Sequence, residues 1–218
     1  MITTTARMSK VEIQGLFPIP LMRVEGCAPR ELIQTLIART REAATQQNSS
    51  STRLHHSEMR LAEADETYRA VQSAVGSHVV EFGTLLFGEP LSWLIKEMWT
   101  NRLETGGAQT VHSHANSFIS GVLYLTDTHP SARTVFRRDM GGREYVFSNA
   151  NDRARMGPFN ATDWVSPPAR AGDMVLFPSY LLHEVPRNEG GERMTLAFNA
   201  IPHRLDSWGY AVNFGVDG

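Results

Sequence analysis

Between residues 91 and 203 the chain is a succession of short apolar runs separated by turn residues, with no helical pattern between them. Strands joined without intervening helices pair antiparallel, because a parallel pair needs a long crossover. The expected strands cover 93–102, 110–114, 118–125, 134–137, 143–147, 174–177, 181–185 and 193–201. Three Gly-Gly pairs, at 106–107, 141–142 and 190–191, are read as turns. Many short strands at this spacing predict a barrel or a double-sheet jelly roll.

Before residue 90 the pattern is helical. Pro29 suits a first helical turn, and Leu32, Ile33, Leu36 and Ile37 then recur at helix spacing. A polar stretch, 46–52, reads as a loop. A second helix is expected over about 65–87, with Tyr68, Val71, Val75, Val79, Phe82, Leu85 and Leu86 on its apolar side and Gly88 and Pro90 as its stop. The fold class expected is mainly β (α+β): a barrel or jelly roll, with N-terminal helices packed on one face. The length, 218 residues, suits a single domain: a helical segment 1–90, a core 91–203 and a C-terminal tail 204–218.

Composition narrows the chemistry. Lysines and arginines number 21 against 23 acids, so there is no basic footprint for nucleic acid. A single cysteine, Cys27, excludes an internal disulfide and a thiolate zinc site. Eight histidines stand beside it, so a metal site would be built from nitrogen and oxygen. The first residues lack a basic region followed by an apolar one, and no apolar run reaches membrane-span length. A cytoplasmic location is expected, with no membrane partner.

Three segments carry candidate chemistry. In His112-Ser-His114, positions two apart on a strand face the same way, so two imidazoles can converge on one point. Alone, the pair is weak evidence for a metal. Gly172-Asp-Met-Val-Leu-Phe-Pro-Ser179 leads through a turn to His183, which offers a third nitrogen from a neighbouring strand. The turn at 188–191 then makes Arg193 the start of a strand antiparallel to that of His183. Arg193 and Thr195 share one face of it, opposite Met194, Leu196 and Phe198. A guanidinium and a hydroxyl so placed make a carboxylate clamp. His55-His56, His78, His129 and His203 have no partner at ligand spacing. The stretch 147–170 is too long for a simple turn and could form a substrate lid.

In this order the segments resemble the iron(II)/2-oxoglutarate-dependent oxygenases, and within them a group of small bacterial and phage enzymes. The motifs are Phe17-Pro-Ile-Pro20, Trp99-Thr-Asn101, His112-Ser-His-Ala-Asn-Ser117, Ser120-Gly-Val-Leu-Tyr-Leu125, the segment 172–179 with His183, and Arg193-Met-Thr-Leu-Ala-Phe-Asn199. The resemblance implies a double-stranded β-helix (jelly-roll, cupin-like) core, Fe(II) as metal and 2-oxoglutarate as co-substrate. It makes His112 and His183 metal ligands. Arg193 and Thr195 would hold the distal carboxylate of 2-oxoglutarate, with Tyr124 and Asn101 as further contacts and Trp99 on the substrate side. His114 stands where the wider superfamily has Asp or Glu. It is expected as the third ligand, with a carboxylate elsewhere, such as Asp127, as the alternative. Glu184 should point away from His183.

The activity implied is hydroxylation of a small-molecule or peptide substrate. Two rivals remain: a three-histidine, cupin-like dioxygenase that uses no 2-oxoglutarate, and a non-catalytic jelly-roll binding module. Two copies could pair through the N-terminal helices.

Overall fold

The structure, a computed structural model, describes residues 12–43, 46–59, 65–140, 149 and 151–215. Its elements in chain order are β1 (Met22–Val24), α1 (Arg30–Glu42), β2 (Gln46–Gln47), β3 (Thr52–His56), α2 (Glu66–Phe87), β4 (Trp93–His112) and β5 (Ile119–Tyr124). They continue with β6 (Val135–Arg137), β7 (Asp163–Val165), β8 (Met174–Pro178), β9 (Leu182–Val185), β10 (Arg193–Pro202), β11 (Arg204–Ser207) and β12 (Tyr210–Asn213). The expected strand at 143–147 lies outside the described residues.

One curled antiparallel sheet runs β1-β8-β5-β10-β4-β9-β6-β7, with β3 also paired to β4 and β2 to β3. The long strand β4 holds the curl together. Its first part pairs with β10, from Trp93↔Pro202 to Leu103↔Arg193. Its last part pairs with β9, through Gln109↔Val185 and His112↔His183. Two separate strands were expected here, with Gly106-Gly107 as the turn between them. The glycines instead lie inside β4. A Cβ at Gly107 would stand 2.8 Å from the Thr52 carbonyl oxygen and 2.9 Å from that of Arg53, so only glycine lets β3 approach so closely.

A second expectation also changes. β9 and β10 follow one another in sequence but do not pair as a hairpin among the described residues. Both flank β4, at opposite ends of its length. That arrangement puts His183 and Arg193 on different walls of one enclosure instead of side by side.

Strand alternation sorts the side chains. Met194, Leu196 and Phe198 of β10, Leu123 of β5, and Met174 and Leu176 of β8 face the helices. Against them α1 buries Ile33 and Leu36, and α2 buries Val71, Val75, Val79 and Phe82. Fully burying one such side chain stabilises by roughly 1.5–3 kcal/mol, so this layer is what fastens the helices to the sheet. Leu85, expected on the apolar side of α2, is exposed. Asp65 caps α2 by accepting from the Thr67 and Tyr68 N–H groups, and Gly88 ends it in the left-handed region. Gly121 of β5 lies directly under Phe198, whose ring would meet a Cβ there at 2.1 Å.

The opposite face of the sheet looks into the curl, where Tyr124, Phe136, Val175 and Phe177 form a smaller apolar cluster. The segments expected as a loop at 46–52 and a tail at 204–218 contain β2 and the β11–β12 hairpin. Among the described residues, no helix is long and apolar enough to cross a membrane.

Candidate metal centre

Two rows of side chains face the interior. In one, Asn101, Thr195 and Tyr124 stand opposite one another across β4, β10 and β5. Arg193, two residues before Thr195, faces the same way. In the other, His112, His183 and Phe136 stand opposite one another across β4, β9 and β6. β4 contributes to both rows. The resulting cavity, about 30 Å³, is lined by Asn101, His112, His114, His183, Arg193 and Thr195 among others.

His112 donates from Nδ1 to the Thr110 carbonyl at 2.8 Å, and His183 from Nδ1 to the Leu181 carbonyl at 2.9 Å. A neutral imidazole has one N–H, so in both rings Nε2 keeps its lone pair for a ligand. His114 lies just past the end of β4, where its backbone N–H donates to the Ser179 carbonyl at 2.9 Å. Its Nε2 is 3.3 Å from Nε2 of His183. One candidate ligand atom from each of the three rings lies within 4.8 Å of the others. Nitrogens bound about 2.0–2.1 Å from one ion lie roughly 3.0–3.4 Å apart, so the spacing suits a single divalent ion. Three imidazoles select the later transition metals over Mg²⁺ or Ca²⁺.

Behind His114 runs a buried polar chain. The Asn199 amide nitrogen lies 3.4 Å from His114 Nδ1 and donates to Glu97 Oε1 at 2.7 Å. Ser120 donates to Asn199 Oδ1 at 2.7 Å. Lys96 pairs with Glu97 at 3.0 Å.

Burial pushes all three imidazole pKa values down. His183 falls to about 3, by burial first and then the His112 charge. His114 falls to about 4, by burial and His112, against a pull upward from Glu97. His112 is lowered by burial, partly offset by its bond to Thr110. The rings are therefore neutral at pH 7, the state a metal requires.

Arg193 is only 5% exposed. Its Nη2 is 3.5 Å from Thr134 Oγ1, and its guanidinium lies 5.4 Å from the Tyr124 ring centre. Its Nε has no partner, and no carboxylate pairs with it among the described residues. Burial lowers its pKa, with the Tyr124 phenol opposing, yet a guanidinium stays charged. Thr195 and Asn101, 2% and 7% exposed, make no side-chain hydrogen bond among the described residues. A buried cation with two unspent polar neighbours is costly unless an anion completes it.

Residues 97–199 match a sequence family described as "Putative 2OG-Fe(II) oxygenase". Over that segment, just under half of its length, the chain is similar to the 2OG-Fe(II) oxygenases. No curated protein matches it. Among solved structures similar to this chain is HygX from Streptomyces hygroscopicus with nickel and 2-oxoglutarate bound. It is 15% identical, with a TM-score of 0.60 over 84% of this chain and 83% of that one. A Pseudomonas putida prolyl-4-hydroxylase is 16% identical, with a TM-score of 0.58 over 84% and 92%. The alpha-ketoglutarate-dependent epimerase SnoN from nogalamycin biosynthesis is 13% identical, with a TM-score of 0.60 over 85% and 80%. The shared fold is the jelly roll of the 2OG-Fe(II) oxygenases.

The cavity thus gathers six of the seven residues singled out as ligands or co-substrate contacts. The seventh, Tyr124, backs Arg193 instead of lining the space. Trp99 lines the cavity, its ring centre 5.7 Å from that of His114. Asp127 accepts from the Ala171 N–H at 2.9 Å and is not part of the three-residue group. Glu184 turns away from His183 to hold Arg137. Asp173, of the motif after Gly172, is a fastener for the N-terminal segment. It accepts from the Gly26 and Arg170 N–H groups, each at 3.0 Å. Thr134, Asn199 and Gln109 also border the site. Asn199 lay within a motif already noted, whereas nothing in strand periodicity points to Gln109.

Proposed function

We propose that His112, His114 and His183 hold Fe(II), and that Arg193, Thr195 and Asn101 hold the distal carboxylate of 2-oxoglutarate in a hydroxylase of a small-molecule or peptide substrate. The observation that carries the reading is the buried guanidinium of Arg193, without a carboxylate partner, in the same cavity as three neutral imidazoles. One part of the cavity is lined by imidazole nitrogens, and another by a cation with a hydroxyl and an amide. A dicarboxylate keto acid matches both ends.

When bound, the iron supplies oxidative decarboxylation of the keto acid, coupled to oxygen insertion into a substrate C–H bond. The chain's own residues prepare that event. Thr110 and Leu181 carbonyls fix the tautomers of His112 and His183. Arg193 can fork onto one carboxylate with two parallel N–H donors, while the Thr195 hydroxyl adds a third. Phe136 and Phe177, packed near His183, keep water from the reacting region. The cavity of about 30 Å³ accommodates an ion. The lone free thiol, Cys27, suits a cytoplasmic setting.

Succinate release from 2-oxoglutarate in the presence of Fe(II) and ascorbate tests the reading. The expected result is metal-dependent succinate, uncoupled in the absence of substrate and faster with it. No succinate, together with no 2-oxoglutarate binding by the metal-loaded protein, overturns it. The three-imidazole set also suits a dioxygenase that uses no keto acid. That reading leaves Arg193 without an anion, and unchanged 2-oxoglutarate affinity in Arg193→Ala would favour it.

A further inference from the structure

Residues 109 and 112 of a regular strand face opposite ways. On β4 they do not. Gln109 pairs with Val185 and His112 with His183, so three steps on β4 match two on β9. The extra residue is a β-bulge, a device that re-aims a side chain. Here it brings the Gln109 carboxamide into the cavity, with Nε2 at 3.3 Å from His112 Nε2.

The direction of that contact follows from the chemistry. His112 spends its N–H on the Thr110 carbonyl, so its Nε2 is an acceptor and Gln109 is the donor. It is the one side-chain hydrogen bond Gln109 makes among the described residues. A metal on His112 takes the same lone pair. The Gln109 N–H then loses its acceptor while still aimed at the space beside the ion. A part-buried donor so released needs a new acceptor close by, and the atoms that satisfy it there are oxygens carried by the metal.

We propose that Gln109 donates a hydrogen bond to the metal-bound oxygen of the 2-oxoglutarate carboxylate, and is thereby a co-substrate-binding residue. This rests on the reading of the site given above. Its predicted signature is a split. Gln109 competes weakly with the metal and supports the keto acid.

Calorimetry on the full chain separates the two effects, with Ni(II) titrated into metal-free protein and 2-oxoglutarate into the Ni(II)-loaded form. Gln109→Leu keeps much of the bulk of the side chain and removes the donor. It should leave Ni(II) affinity within about 2-fold and weaken 2-oxoglutarate by about 10-fold or more, the usual range for a hydrogen bond to a charged acceptor. Gln109→Glu, an acceptor only, should bind Ni(II) more tightly and 2-oxoglutarate more weakly than Gln109→Leu. Unchanged 2-oxoglutarate affinity in both variants, or equal losses for metal and keto acid, overturns the proposal. Failure of the wild-type chain to bind Ni(II) or 2-oxoglutarate would instead overturn the site reading on which it rests.

Discussion

Replacing Arg193 with methionine should move folding and binding in opposite directions. In the ligand-free fold the guanidinium is 5% exposed, without a carboxylate partner, and its Nε makes no hydrogen bond. Methionine fills much of the same space with no charge to desolvate. Relief of an uncompensated buried charge is worth several kcal/mol, and the lost contact with the Tyr124 ring takes back about 0.5–2 kcal/mol. A net gain of about 1–2 kcal/mol follows, or a rise of roughly 2–8 °C in the melting temperature of metal-free protein. Binding goes the other way. Deleting one partner of a buried charged hydrogen-bonded pair costs about 2–5 kcal/mol, a loss of roughly 30-fold to several-thousand-fold in 2-oxoglutarate affinity. Metal affinity should stay within about 3-fold, because Arg193 contacts none of the three histidines. Differential scanning calorimetry of metal-free protein and titration of 2-oxoglutarate into Ni(II)-loaded protein read the two effects. A destabilised variant that keeps its 2-oxoglutarate affinity would refute the reasoning, because Arg193 would then be a structural cation.

Other consequences follow from the same geometry. His183→Ala should abolish Ni(II) binding measured by equilibrium dialysis, while the metal-free protein still melts cooperatively. In the metal-free fold His183 and His114 have pKa values of about 3 and 4, below the ordinary value of an unfolded chain. The unfolded state therefore takes up protons first. Stability should be fully present above about pH 6.5 and fall by a few kcal/mol between pH 6.5 and 4, as urea titrations at stepped pH would record. Phe82→Ala empties part of the layer between α2 and the sheet, and should cost about 3–5 kcal/mol in urea unfolding. Gly121→Ala drives a methyl into the Phe198 ring and should cost about 1–3 kcal/mol by the same measurement, or more if the ring cannot move.

Much of this was legible in the chain because local pattern and global fold agree. The two helices follow from 3.6-residue spacing closed by Asp65 and Gly88, and the face shared by Arg193 and Thr195 follows from simple alternation. What the pattern could not give was pairing between distant strands. Gly106-Gly107 has the composition of a turn, and only the approach of the β3 backbone makes it part of a continuous strand. The turn at 188–191 looks like a hairpin, yet the curl of the sheet sends its two strands to opposite ends of β4. A bulge leaves no mark on alternation, so Gln109 was invisible. The role of Asn199 depends on Ser120, Glu97 and His114, residues brought together only by the folded sheet.

The most direct test of the account is a crystal of the full chain soaked with nickel and 2-oxoglutarate, with anomalous data collected at the nickel edge. The account predicts one strong anomalous peak within about 2.1 Å of a nitrogen from each of His112, His114 and His183, and a carboxylate against the Arg193 guanidinium. A metal held by other residues, or a keto acid bound away from Arg193, would contradict it.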